Sequence, residues 1–281
     1  MKLSYLLKGS LLAFALVSLS ACNDNDKTVA NNIQNATQVL KAGVCPGPYR
    51  SMIEKFIKPK LESQGYKVEV VEFTDYVQPD AALDSGDIQF NLFQHQSYFD
   101  NIVKDQNLKL TSIINIPTLG LGLFSDKYKS LEEIPEGAKA AIPADAVNLA
   151  RALRIASEVG LITLKTVNNE QKASIADIGE NPKHIEFIPM EAAQISRSLD
   201  SVDLGFVPGN YAYAAKLDYS KALGVENVRE NIKNIIAVRT ADKDGLGKKL
   251  YDIVASETFV KELEADHDFD SFTRPQWWDK F

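Results

Sequence analysis

The chain has 281 residues, 45% hydrophobic and 25% charged, with 38 acidic against 31 basic side chains and a formal charge of −7. That is enough apolar material for a sizeable core, and an acidic excess without a basic run disfavours a nucleic-acid partner. Two cysteines and three histidines exclude a disulfide framework and leave little for a metal centre.

Lys2 and Lys8 form a charged start, residues 11–17 an apolar run, and small residues lead into Leu19-Ser20-Ala21-Cys22. The pattern is that of a secretory signal peptide over residues 1–21, too short to span a bilayer. Its end resembles the lipobox of bacterial lipoproteins, in which the cysteine is acylated and becomes the mature N-terminus. Cys22 is thus the expected lipidation site, carrying palmitate-type chains, and stable anchoring takes more than one of them. Residues 22–37 are polar and aperiodic, a flexible tether. Losing residues 1–21 removes two lysines and no acid, so the mature chain is more acidic still. At ~260 residues it is larger than a typical single domain and suits two lobes. Cys45 then remains as a free thiol, and nothing pairs it with a histidine as a catalytic thiol requires.

In chain order, residues 39–44 read as a first strand ended by Pro46-Gly47-Pro48. Residues 49–64 have helical period, with Pro59 as an expected kink and Gly65 as a stop. A second strand covers 68–73, and a loop 74–80 leads to a short helix at 81–83. The next stretch places a strand over 88–92, then Phe93, Gln94, His95 and Tyr98 together where a helix opens near Gln96. Ligands of open α/β sheets bind outside the strand ends, so this cluster suits a small, partly apolar ligand. The alternative is that Phe93 and Tyr98 are core aromatics and His95 a capped surface residue. Strands at 108–116 and 119–124 follow. The glycines of 119–124 and of 245–249 complete no phosphate-binding loop.

Residues 140–143 form a short strand, after which Asp145 can cap a helix over 146–159, closed by Gly160. Asn148 and Arg151 share a neighbouring face of its first turns. A helix start with an arginine fork and an amide suits a carboxylate. Spacing alone favours solvated surface arginines at both 151 and 154. A strand at 185–188, a short helix at 194–199 and a strand at 204–207 lead to Pro208-Gly209-Asn210-Tyr211, again polar at a strand end. Residues 231–238 return as a crossing strand, 246–265 form a C-terminal helix, and Trp277 and Trp278 act as packing anchors. Alternating strands and helices imply βαβ units in a largely parallel sheet. His95, His184 and His267 lack zinc-type spacing, and no nucleophile turn is present.

Several of these pieces recur in one family and in this order: residues 71–83 (Val-Glu-Phe-Thr-Asp-Tyr-Val-Gln-Pro-Asp-Ala-Ala-Leu), Phe93-Gln94-His95, Asn148-Leu149-Ala150-Arg151-Ala152-Leu153, Gly160-Leu161-Ile162, Asn181-Pro182 and Asn210-Tyr211-Ala212. The chain resembles the MetQ/NlpA-type lipoproteins, methionine-binding components of bacterial ABC importers, over nearly its whole mature length. The resemblance implies an α/β, two-lobed periplasmic-binding-protein fold (type II-like), each lobe a mixed sheet flanked by helices. Lobe 1 would be 38–117 plus 236–281, and lobe 2 118–235. It further implies no enzymatic step, no cofactor and no metal. The partners would be a methionine-like amino acid, an ABC importer permease and a membrane, inner or outer, with the domain facing the periplasm. Tyr76, Phe93, His95 and Tyr98 would wall the first lobe, with the aromatics around a thioether. Arg151 would clamp the α-carboxylate in bidentate fashion, steadied by Asn148, while Asn210 and Asn234 would offer oxygens to the ammonium. The family usually has other residues where Gln89, Phe90, Ser97, Ala144 and Val147 stand here. That leaves open a divergent paralogue for another apolar amino acid, a dipeptide or a non-amino-acid ligand, or a surface lipoprotein without a transport role.

Overall fold

The computed structural model describes residues 38–166 and 172–281; the expected signal peptide 1–21, Cys22 and the tether 22–37 lie outside the described residues. Among the described residues no helix is long and apolar enough to cross a membrane. The strands in chain order are β1 (Gln38–Val44), β2 (Tyr66–Glu72), β3 (Phe90–His95), β4 (Leu110–Asn115), β5 (Gly122–Phe124), β6 (Lys139–Pro143), β7 (Glu186–Met190), β8 (Leu204–Val207), β9 (Gly224–Val225) and β10 (Asn234–Arg239). They form two five-stranded sheets, ordered β2-β1-β3-β10-β4 and β7-β6-β8-β5-β9.

The sheets are mixed rather than largely parallel. In the first, β1 runs parallel to β2 and β3, while β10 is antiparallel to both β3 and β4. In the second, β6 is parallel to β7 and β8, and β5 is antiparallel to β8 and β9. The largely parallel sheet read from alternating strands and helices is corrected, since apolar periodicity carries no strand direction, and the mixed sheets implied by the resemblance are what the chain forms. The chain passes between the sheets twice, through residues 116–121 and 226–233, so β10 enters the first sheet only after the whole second lobe has been traced.

The helix after β1 runs through Tyr49–Met52, a π turn at Ile53–Ile57 and Lys58–Ser63. Pro59 has no N–H to donate and its ring would crowd the carbonyl four residues back, so the wider turn just ahead of it relieves the conflict. Met52, Ile53, Phe56, Ile57 and Leu61 pack on one face of the first sheet with Phe259, Leu263, Phe269 and Trp278. The opposite face holds Leu83, Ile88, Phe99 and Ile235. Trp278 is thus a packing anchor, and Trp277 packs beside it with its indole N–H on the Asn115 carbonyl at 2.7 Å. The second sheet has its own core, with Leu153, Ile155, Ala156 and Phe206 on one side and Ile195, Val207 and Tyr211 on the other.

Several elements differ from expectation, among them the strands at 122–124 and 234–239, which start three residues later than expected, and the helix Ala192–Ile195, which starts two earlier and ends four earlier than expected. The helix expected at 81–83 is longer, Gln78–Ser85, starting at Gln78-Pro79, where proline in the first turn gives up no intrahelical bond. The strand expected at 88–92 lies two to three residues later, so His95 is its last residue. The expected C-terminal helix 246–265 is two, Lys248–Val254 and Glu257–Glu264, because the Ser256 hydroxyl accepts from the Phe259 N–H and caps a new start.

Candidate functional site

A small, narrow cavity lies between the two sheets. Its walls are the residues that follow strand ends: Tyr49 after β1, Phe93 to His95 at the end of β3, Arg151 after β6 and Asn210 after β8. Because β10 is antiparallel, its first residue, Asn234, sits opposite His95 and reaches the same rim. All eight residues singled out as ligand contacts (Tyr76, Phe93, His95, Tyr98, Asn148, Arg151, Asn210 and Asn234) line this one cavity.

The aromatic side is a cluster around Tyr76, whose ring centroid lies 6.1 Å from Phe93, 5.8 Å from Tyr98 and 5.2 Å from Tyr211. Tyr98 donates its hydroxyl to the Tyr76 carbonyl at 3.3 Å. Burial pushes the Tyr76 and Tyr98 hydroxyls well above the usual phenol range, so both stay protonated donors.

His95 is buried, not a surface residue. It caps the helix Gln96–Gln106: its Nδ1 accepts from the Tyr98 backbone N–H at 3.1 Å, which places the ring proton on Nε2, 3.0 Å from Asn148 Oδ1. Burial, reinforced by the nearby Arg151 charge, holds its pKa down to about 3 and the imidazole neutral. Asp145 caps the helix Ala146–Glu158 as its sequence position predicts, accepting from the Asn148 backbone N–H at 2.9 Å. The Asn148 side-chain amide donates to both Asp145 oxygens, at 3.1 and 2.9 Å. Its oxygen therefore faces His95 and Arg151, and Arg151 Nη1 donates to it at 2.6 Å.

Arg151 is 5% exposed, so the reading as a solvated surface arginine is overturned. Arg154, with an 11% exposed side chain, is not solvated either. Both are held by Glu226, whose side chain is wholly buried. Arg151 Nε meets Glu226 Oε1 at 3.0 Å and Nη2 meets Oε2 at 2.5 Å, while Arg154 Nη2 reaches Oε1 at 2.9 Å. Burial opposes both charges of the Arg151–Glu226 pair. Their mutual attraction outweighs it, raising the guanidinium pKa and lowering the carboxyl below its usual range. The Nε–Nη2 edge of Arg151 is occupied by Glu226, so a bidentate clamp on a ligand falls to its terminal nitrogens. Of its five N–H groups, one on Nη1 and one on Nη2 remain.

Asn210 and Asn234 sit on opposite sides of the cleft. Asn210 Oδ1 accepts from the Tyr76 hydroxyl at 2.6 Å and its Nδ2 donates to the Pro46 carbonyl at 2.9 Å. Asn234 Nδ2 donates to the Phe93 carbonyl at 3.0 Å, which leaves its oxygen as the free end of the amide. Sequence reading missed Tyr49, Tyr211 and Glu226. The two tyrosines follow strand ends, the signal that found Phe93 and Asn210. Glu226 carries no such mark, since its partner is 75 residues away. Among the described residues no His, Cys, Asp and Glu group could hold a metal ion, and Cys45 is buried, its thiol donating to the Asp75 carbonyl.

Comparison with known proteins adds the following. The family model described as NlpA lipoprotein matches residues 40–277. A D-methionine-binding lipoprotein MetQ from Yersinia pestis is 34% identical over 241 residues, covering 85% of this chain and 86% of the relative. Outer membrane lipoprotein 2 from Mannheimia haemolytica is 36% identical over 267 residues, covering 92% and 93%. Among solved structures, a nutrient binding protein from Burkholderia cenocepacia bound to methionine superposes with a TM-score of 0.77 at 38% identity, covering 84% of this chain and 99% of that one.

Proposed function

Because the chain belongs to the NlpA lipoprotein family, we propose that it is the lipid-anchored solute-binding component of an ABC importer, capturing methionine or a close relative in the cleft and handing it to a membrane permease. The observation that carries this reading is the juxtaposition, in one cavity, of a buried guanidinium with two unspent N–H groups and a ring cluster centred on Tyr76. An α-amino acid with an apolar, polarizable side chain fits that pair. The carboxylate meets the terminal nitrogens of Arg151, the ammonium meets the oxygens of Asn234 and Asn210, and the thioether lies among ring edges, each contact gaining roughly 0.3–1.5 kcal/mol.

The departures from the family's usual residues support the same ligand class, because Gln89, Phe90, Ser97, Ala144 and Val147 do not line the cavity. No bond is made or broken in this scheme. A ligand bridging lobe 1 (38–117 plus 236–281) and lobe 2 (118–235) favours the closed arrangement by its differential affinity for it, and the closed form is what the permease reads. Cys22 supplies the anchor, with the domain in the cell envelope on the periplasmic side.

A melting screen tests the assignment. Methionine at about a hundred times its Kd should stabilise the fold by about 2.7 kcal/mol and raise Tm accordingly. A shift with another amino acid or a dipeptide, and none with methionine, would overturn the ligand. Arg151→Ala should abolish the shift.

A further inference from the structure

We propose that Glu226 is the positioning residue of the cleft: its carboxylate decides which edge of the Arg151 guanidinium faces a ligand and ties that guanidinium to both passages of chain between the lobes. The inference rests on the reading above for its ligand, but its geometry stands without one.

Glu226 opens the return passage, directly after β9, and its side chain is wholly buried. One carboxylate oxygen, Oε1, takes Arg151 Nε at 3.0 Å and Arg154 Nη2 at 2.9 Å. The other, Oε2, takes Arg151 Nη2 at 2.5 Å and also the backbone N–H of Leu121 on the outgoing passage, at 3.2 Å. The two passages are in close contact there, since a Cβ at Gly120 would come within 3.1 Å of the Glu226 carbonyl oxygen. A carboxylate occupying the side edge of a guanidinium fixes its plane and leaves only the terminal edge for another anion. Two guanidinium groups packed this closely would repel one another, and the carboxylate between them removes that repulsion. Glu226 touches no part of the proposed ligand. It acts through Arg151, and because it also grips the passages, a change in their relative path moves the guanidinium with them.

Glu226→Asp keeps the charge and shortens the reach by one methylene, so it separates position from electrostatics. Two measurements on the lipid-free mature domain decide the matter. The first compares methionine with its carboxamide by calorimetry, in the parent and in Glu226→Asp. The variant should lose at least about tenfold in methionine affinity, while its carboxamide affinity, which has no carboxylate to place, changes by less than about twofold. Unchanged methionine binding, or equal loss for both ligands, would overturn the proposal. The second follows the Arg151 Nε–H signal in an arginine-labelled spectrum, assigned with Arg151→Lys and recorded without ligand. The parent should show a slowly exchanging proton that Glu226→Asp loses, and a signal that persists would overturn the positioning role. A parent that binds neither compound yet shows this loss would sink the methionine reading and leave the positioning role standing. Should Glu226→Asp fail to fold, Arg154→Gln, which keeps the Arg151 contacts intact, should bind methionine within about twofold of the parent. A larger loss would place the effect in the cluster's overall charge and overturn the proposal.

Discussion

Asp80 and His95 are both buried, and they pull stability in opposite directions as pH falls. Asp80 is fully buried on the helix Gln78–Ser85, with Oδ1 accepting from the Asn91 and Gln94 side-chain amides at 2.9 and 2.6 Å and Oδ2 without a partner among the described residues. Burial outweighs those two donors and pushes its pKa up to about 6. A carboxyl whose folded pKa lies above its unfolded one stabilises the fold below the unfolded value and loses that contribution as pH rises through about 6. His95, held near 3, does the reverse: below about 6.5 the unfolded chain takes up a proton that the fold refuses, so acid destabilises. Asp80→Asn keeps an acceptor for both amides and carries no charge. Its advantage over the parent in denaturant unfolding should be largest at pH 8, on the order of 2–3 kcal/mol at most, and shrink as pH drops through 6; an advantage that grows toward acid would refute the assignment. Since His95 stays neutral, ligand affinity in Asp80→Asn, where the Asp80 titration is removed, should be flat from about pH 5 to 8. At this scale the aromatic and imidazole residues were legible because they cluster at one strand end. Glu226 was not, because a buried counter-ion found across 75 residues leaves no local pattern.

Among the elements, the helix Ala146–Glu158 was the most legible, since an acid just before an apolar run at helical spacing states its own start. Asp145 has two duties there, capping the backbone and orienting Asn148 with both oxygens. Asp145→Ala should therefore cost about 1 kcal/mol of stability and weaken ligand binding as well. Asp145→Ser restores the cap but not the two-oxygen grip, so it should recover the stability and not the affinity; recovery of both would show that the cap alone matters. The split between Lys248–Val254 and Glu257–Glu264 was hidden because apolar residues continue in period across Ser256, and only the hydroxyl's bond to the Phe259 N–H marks the break.

Across the whole molecule, the direct bonds that join the lobes among the described residues include Tyr76 to Asn210, Asn210 to Pro46, His95 to Asn148 and Tyr211 to Thr74. Tyr76→Phe keeps the ring and removes the hydroxyl, leaving the Asn210 oxygen without its donor. The loss of about 1–2 kcal/mol falls on the closed arrangement, so calorimetry should show methionine affinity reduced roughly five- to thirtyfold, and unchanged affinity would show that this bond does not hold the lobes together. The two-sheet plan itself came from the order of motifs rather than from periodicity, which finds strands but not their neighbours. The late arrival of β10 in the middle of the first sheet has a temporal consequence. As the polypeptide lengthens, β3 and β4 are made early yet have nothing between them, whereas β5 through β9 are contiguous in the chain and can zip up unaided. The nascent first half must wait with an open seam until residues 234–239 emerge, so the long-range pairings across that seam are the natural slow step of maturation.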